Sequence, residues 1–179
     1  MRKLFLAAGL LLLAAGRPMP AQTADDYLLP REDLRVRYAE NIRQRTDALL
    51  DVMSRRLNTL EHRYVTRDRP AWVRQLEKDE TLRAVDTYSD DRLLADYHRA
   101  LYSLLVRIEG AYGRGWGTVL KGAVHALRKH SEKYVAFLEQ VEPLLPADEK
   151  LRTEYERALA LTRKAVDGAR AAEKAMKDL

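Results

Sequence analysis

Cysteine is absent from the 179-residue chain. Its absence excludes disulfides, thiol catalysis, c-type haem attachment and cysteine-ligated zinc. The fold therefore has to be held by apolar packing. Glycine is nearly as scarce, with eight residues in all. Four of them fall in one stretch, Glu109-Gly110-Ala111-Tyr112-Gly113-Arg114-Gly115-Trp116-Gly117. Long hydrophobic runs are missing too: the longest uncharged run, Leu4 to Gly16, falls short of the roughly 20 apolar residues that a membrane-spanning helix needs.

That run follows Met1-Arg2-Lys3 and leads into Arg17-Pro18-Met19-Pro20-Ala21. A basic start, a short apolar segment and a small-residue exit predict a cleaved secretory signal peptide over 1–21. Cleavage falls after Ala21 or, alternatively, after Gly16. A buried N-terminal helix is the competing reading. No cysteine follows the run, which excludes a lipoprotein anchor, and no stable membrane anchor is expected after cleavage. The expected location is exported, periplasmic or secreted.

Charge of one sign is lacking once the leader is set aside. The whole chain carries 32 Lys+Arg and 27 Asp+Glu, net +5. Arg2, Lys3 and Arg17 belong to the leader, leaving 29 basic and 27 acidic residues, net +2. A near-neutral chain has no electrostatic footprint for nucleic acid. Residues 22–179 suit one domain large enough to bury a core without staples.

What is present is helical periodicity. Leu34, Tyr38, Ile42, Leu49, Met53, Leu57, Leu60 and Tyr64 follow steps of three, four and seven, which predicts one long helix over about 31–65. Asp68-Arg69-Pro70 and then Trp72, Val73 and Leu76 suggest a short helix. Ser89-Asp90-Asp91 reads as a cap with acids at the helix start. A second long helix, about 90–110, carries the seam Leu94, Tyr97, Leu101, Leu104, Ile108. A third, about 118–145, carries Leu120, Val124, Leu127, Ser131, Tyr134, Leu138, Val141, Leu145. Gly122 is placed facing outward on it. A fourth, about 147–177, has a thinner face of Leu151, Tyr155, Leu159, Thr162, Val166, Ala169 and Met176. The seams are regular enough for coiled-coil-like packing of the second helix on the third.

The stretch 90–111 aligns without gaps onto 148–169, with Asp90, Leu93, Tyr97, Arg99, Ala100, Leu101, Gly110 and Ala111 recurring identically 58 residues on. A duplicated helical unit explains this. So does a shared grammar of helix starts.

Chemistry is hard to find. The glycine stretch has neither dinucleotide-fingerprint spacing nor the Gly-Lys-Ser/Thr of a P-loop. Two readings of it stand. In one it is the turn of a hairpin, closed by a left-handed glycine cap, with Tyr112 and Trp116 folded over the helix ends. In the other Tyr112, Arg114 and Trp116 form an exposed partner-contact loop. Di-iron helical proteins use Glu-x-x-His, whereas Thr59, Ala95, Gly122 and Leu127 precede His62, His98, His125 and His130. Met53 with a histidine is the one conceivable haem or copper pairing. No catalytic, cofactor or metal residues are assigned.

The resulting expectation is an all-α, antiparallel bundle of about four long helices, with a short extra helix between the first and second. Its expected role is non-enzymatic: an exported interaction or structural module binding another envelope protein or itself, without nucleic acid. The alternative is a small-ligand, metal or haem carrier.

Overall fold

The computed structural model describes residues 27–113 and 117–177. The expected leader, 1–21, and Arg114 to Trp116 lie outside the described residues. Among those described there is no strand, and seven α-helices follow in order: α1 Pro30–Arg37, α2 Ile42–Glu61, α3 Arg69–Lys78, α4 Glu80–Asp86, α5 Asp90–Tyr112, α6 Thr118–Val141 and α7 Glu149–Lys177. A π-helical turn, His62–Thr66, extends α2, and a 3-10 turn, Glu142–Leu144, follows α6.

The all-helical class is as expected, but the helix count is not. The single long helix over 31–65 is two. The first ends at Arg37, residues 38–41 leave helical geometry, and the Asn41 side chain accepts from the Gln44 N–H at 3.0 Å, an N-cap for α2. Leu34 on α1 and Tyr38 at its C-cap consequently stand exposed instead of continuing the stripe, whereas Leu49, Met53, Leu57 and Leu60 of α2 are buried. The connection before α5 likewise holds two short helices, because Asp79 ends α3 and caps α4 by accepting from the Leu82 N–H at 3.0 Å. Helix α6 stops at Val141, where Pro143 lacks the N–H needed to go on. Asp148 caps α7 through the Leu151 N–H at 2.7 Å.

The expected second-on-third hairpin is also corrected. Helix α5 packs on α2 and α7, and α6 packs on the same two, while α5 and α6 barely meet. Cross-links fix the directions. Arg63 and Tyr64 at the end of α2 bond Asp90 at the start of α5, so α2 and α5 run antiparallel. Tyr155 reaches the Leu138 carbonyl at 3.2 Å and His125 reaches Glu173 at 3.0 Å, so α6 and α7 are antiparallel too. In contrast, α2 and α6 are parallel, through Arg43 to the Gly122 carbonyl (2.6 Å) and Ser54 to Tyr134 (2.7 Å). Helices α5 and α7 are parallel through Lys150–Asp91 (2.5 Å) and Tyr97–Thr162 (2.7 Å). The seams of α5 and α6 are buried as expected, but α2 and α7 fill them.

Gly122 does not face outward. A Cβ there would come within 3.4 Å of the Arg43 guanidinium. The two echoed stretches lie on α5 and α7, side by side and parallel. Their matched tyrosines, Tyr97 and Tyr155, are both buried but bond different partners.

Candidate functional site

Of the three residues expected to form a contact loop, only Tyr112 is described, and it is buried as the last residue of α5. It belongs to the core and is not an exposed contact. Helix α5 runs straight through Gly110 and ends on Gly113 at φ −60°. The expected left-handed glycine cap is therefore not formed there. The only non-glycine residue with positive φ among those described is Arg67, at 52°, after the π turn.

The histidines are dispersed. His62 stacks on Trp72 with ring centroids 4.6 Å apart. His98 is held low, chiefly by burial. His125 meets Glu173, and His130 lies 3.4 Å from the Tyr134 hydroxyl and is also held low by burial. Met53 is buried in the core. Among the described residues no three His, Asp or Glu side chains are grouped to hold a metal.

The least ordinary chemistry lies where the sequence reading placed none. Arg56 sits three residues after Met53 and four before Leu60, on the inward face of α2, and its side chain has no exposed surface. Glu32 on α1, itself 2% exposed, takes both terminal nitrogens of Arg56, one of them at 2.7 Å. The same guanidinium donates to the Tyr27 carbonyl at 3.0 Å and, more weakly, to the Val52 carbonyl at 3.3 Å. Glu32 also accepts from the Leu29 N–H at 3.0 Å, tying down the first turn of its own helix. One carboxylate therefore both caps α1 and fastens it to α2.

A second buried carboxylate lies on α5, the helix packed on α2. Asp96 on α5 is 3% exposed, and its Oδ2 has no hydrogen-bond partner, as is also true of Arg56 Nε. Arg92 and Arg99 approach only to 3.7 Å, outside hydrogen-bond range. Burial pushes the Asp96 carboxyl above its ordinary range, against the pull of Arg56, Arg92 and Arg99 and with a small push from Glu32. Around this centre Arg55 links Asp51 (3.0 Å) and Asp79 (3.3 Å), and Arg35 pairs with Asp51. The signal for the centre was legible in principle, as charged residues at core spacing. It was masked by reading charge as solvated face.

No family model, curated protein or solved structure matches the chain. The functional reading therefore rests on the chain's own residues. Buried ion pairs recover their desolvation cost poorly unless every polar atom is bonded. Here two are not. The arrangement ties α1 to α2, and burial favours the protonated form of Asp96.

Two concavities among the described residues lie on α6 and α7. One lies at the α6–α7 corner, lined by Pro143, Leu145, Pro146 and Tyr155 among others. The other runs between α6 and α7, where Arg170 pairs with Glu132 at 2.9 Å and Arg163 with Glu139 at 2.8 Å.

Proposed function

We propose that the protein is an exported, soluble, four-long-helix bundle that acts without catalysis, by binding another protein of the cell envelope through α1. The observation carrying this reading is the outward face of α1. Leu34 and Tyr38, one turn apart, are 51% and 79% exposed, with Arg31, Arg35 and Arg37 exposed beside them. Tyrosine and arginine around an apolar residue are the composition of an interface hot spot. Export is supported by the Met1–Ala21 leader pattern.

The test uses purified protein lacking the leader. Light scattering gives its oligomeric state, and an envelope protein captured from extract is purified and titrated against wild type and against a Leu34→Ser/Tyr38→Ala variant. The expected result is a defined complex with the wild type and at least tenfold weaker binding by the variant at unchanged melting temperature. Equal binding by both would refute the α1 contact. A partnerless protein carrying stoichiometric metal or a coloured cofactor would refute the class.

A further inference from the structure

Arg56 bonds one buried carboxylate, Glu32, while a second, Asp96, is buried on α5, the helix packed on α2. The bonds of Arg56 to Glu32 and to the Tyr27 carbonyl all reach the N-terminal segment that contains α1. Beyond these bonds α1 is held by one buried apolar side chain, Val36, by Arg55 approaching Glu32 at 3.7 Å, and by exposed pairs such as Arg31–Glu80 and Arg35–Asp51, which contribute little. Lifting α1 would strip Arg56 of these partners and leave a buried cation, normally a prohibitive cost. Asp96 changes that balance, because it is buried on α5, the helix packed on α2, and its Oδ2 and the Arg56 Nε are both left without a hydrogen bond.

We propose that α1 is a detachable strap, and that Asp96 is the standby counter-ion that keeps Arg56 compensated when the strap lifts. In the closed form Glu32 occupies Arg56 and Asp96 is left without a hydrogen bond. In the lifted form Asp96 inherits the guanidinium. The device stands whether or not α1 is the contact element of a complex.

The charges around Asp96 give the device a pH dependence. Arg56 faces it from α2, Glu32 from α1, and Arg92 and Arg99 from its own helix. On the α7 side Glu154 and Arg157 act on His98, and Lys150 pairs with Asp91. Lifting removes Glu32 and frees Arg56, so Asp96 holds its proton less tightly in the lifted form. Closure is therefore strongest where Asp96 is protonated, and it weakens as pH rises through the closed-form pKa.

Amide hydrogen exchange on the leader-free chain tests this, read as protection factors for the hydrogen-bonded amides of residues 33–37 with α5 and α6 as internal reference. Asp96→Asn should raise α1 protection by roughly fivefold or more, within the usual range of coupling between sites, and should flatten its pH profile. Glu32→Gln should lower α1 protection while sparing α5 and α6. Asp96→Asn should leave the melting temperature of wild type unchanged or higher, and should lower it in the Glu32→Gln background, where Arg56 loses its last counter-ion. An Asp96→Asn effect of the same sign and size on melting in both backgrounds would overturn the proposal. So would unchanged or reduced α1 protection in the single variant, a readout that decides the matter even if the double variant does not fold.

Discussion

Where α5 meets α7, Tyr97 and Thr162 join hydroxyl to hydroxyl at 2.7 Å, and Thr162 passes its own proton to the Ala158 carbonyl at 2.6 Å. Where α2 meets α6, Tyr134 reaches Ser54 at 2.7 Å and the Leu50 carbonyl at 3.2 Å. Where α1 meets α2 the buried groups are instead ions, Glu32 on Arg56, with Asp96 beside them. The hydroxyl bridges set the register of parallel neighbours with groups that never ionise in the working range. Burial pushes Tyr134 up to about 12, and Tyr97 is raised further still. They fasten permanently. The ionic centre fastens conditionally, because each member leaves a costly orphan when its partner goes.

The largest test of that contrast is Arg56→Ala, which strands two buried carboxylates and is expected to cost about 3–5 kcal/mol in denaturant unfolding. A loss below about 1 kcal/mol would place the ions on the same footing as the hydroxyls. Leu101→Ala and Leu127→Ala provide the apolar reference. Each is buried without exposed surface and should cost roughly 2–5 kcal/mol. Negligible loss at both would mean that the α5 and α6 seams are not core. Tyr97→Phe should cost only about 0.5–1.5 kcal/mol, since Thr162 keeps its bond to the Ala158 carbonyl. A loss as large as that of Arg56→Ala would erase the distinction.

The smallest effect is a slope. Asp96 is raised in the folded state, so its contribution to stability is present at low pH and lost as pH rises through the folded-state pKa. Asp79, Asp91 and Glu132 are held low by arginine, lysine and hydrogen-bond partners, and they act oppositely, losing stability as pH falls. Subtracting the pH–stability curve of Asp96→Asn from that of wild type should isolate the first effect, and Tyr97→Phe should give no such difference. Matching difference curves for the two variants would break the comparison.

Much of the fold was legible because apolar spacing reports burial directly. Leu94, Tyr97, Leu101, Leu104 and Ile108 are all buried, as are Leu120 through Val141 along the expected seam of α6. Periodicity does not report which neighbour fills a seam, hence the wrong partner for α5. Nor does it see a break that costs no Gly or Pro. Helix α1 stops at Arg37 and Asn41 caps a new helix, while Leu34 and Tyr38 keep perfect step with it. The ionic centre was missed for a similar reason. Arg56 and Asp96 look like any charge on a long helix until Glu32, 24 residues before Arg56 in the chain, arrives to cover the first of them. Of the expected contact loop only Tyr112 can be judged, and its burial follows from α5 continuing two residues beyond Gly110.

The parallel packing of α2 with α6, and of α5 with α7, has a kinetic consequence. In a bundle built only from adjacent hairpins, contacts join residues close in sequence and folding is fast. Here the cross-links Arg43–Gly122, Ser54–Tyr134 and Tyr97–Thr162 span 79, 80 and 65 residues. The loop-closure entropy of those spans is spent before the docked faces reward it. The α6–α7 hairpin, joined by a short turn, is the natural early structure, and the search for the correct parallel alignment of the two halves is the natural slow step.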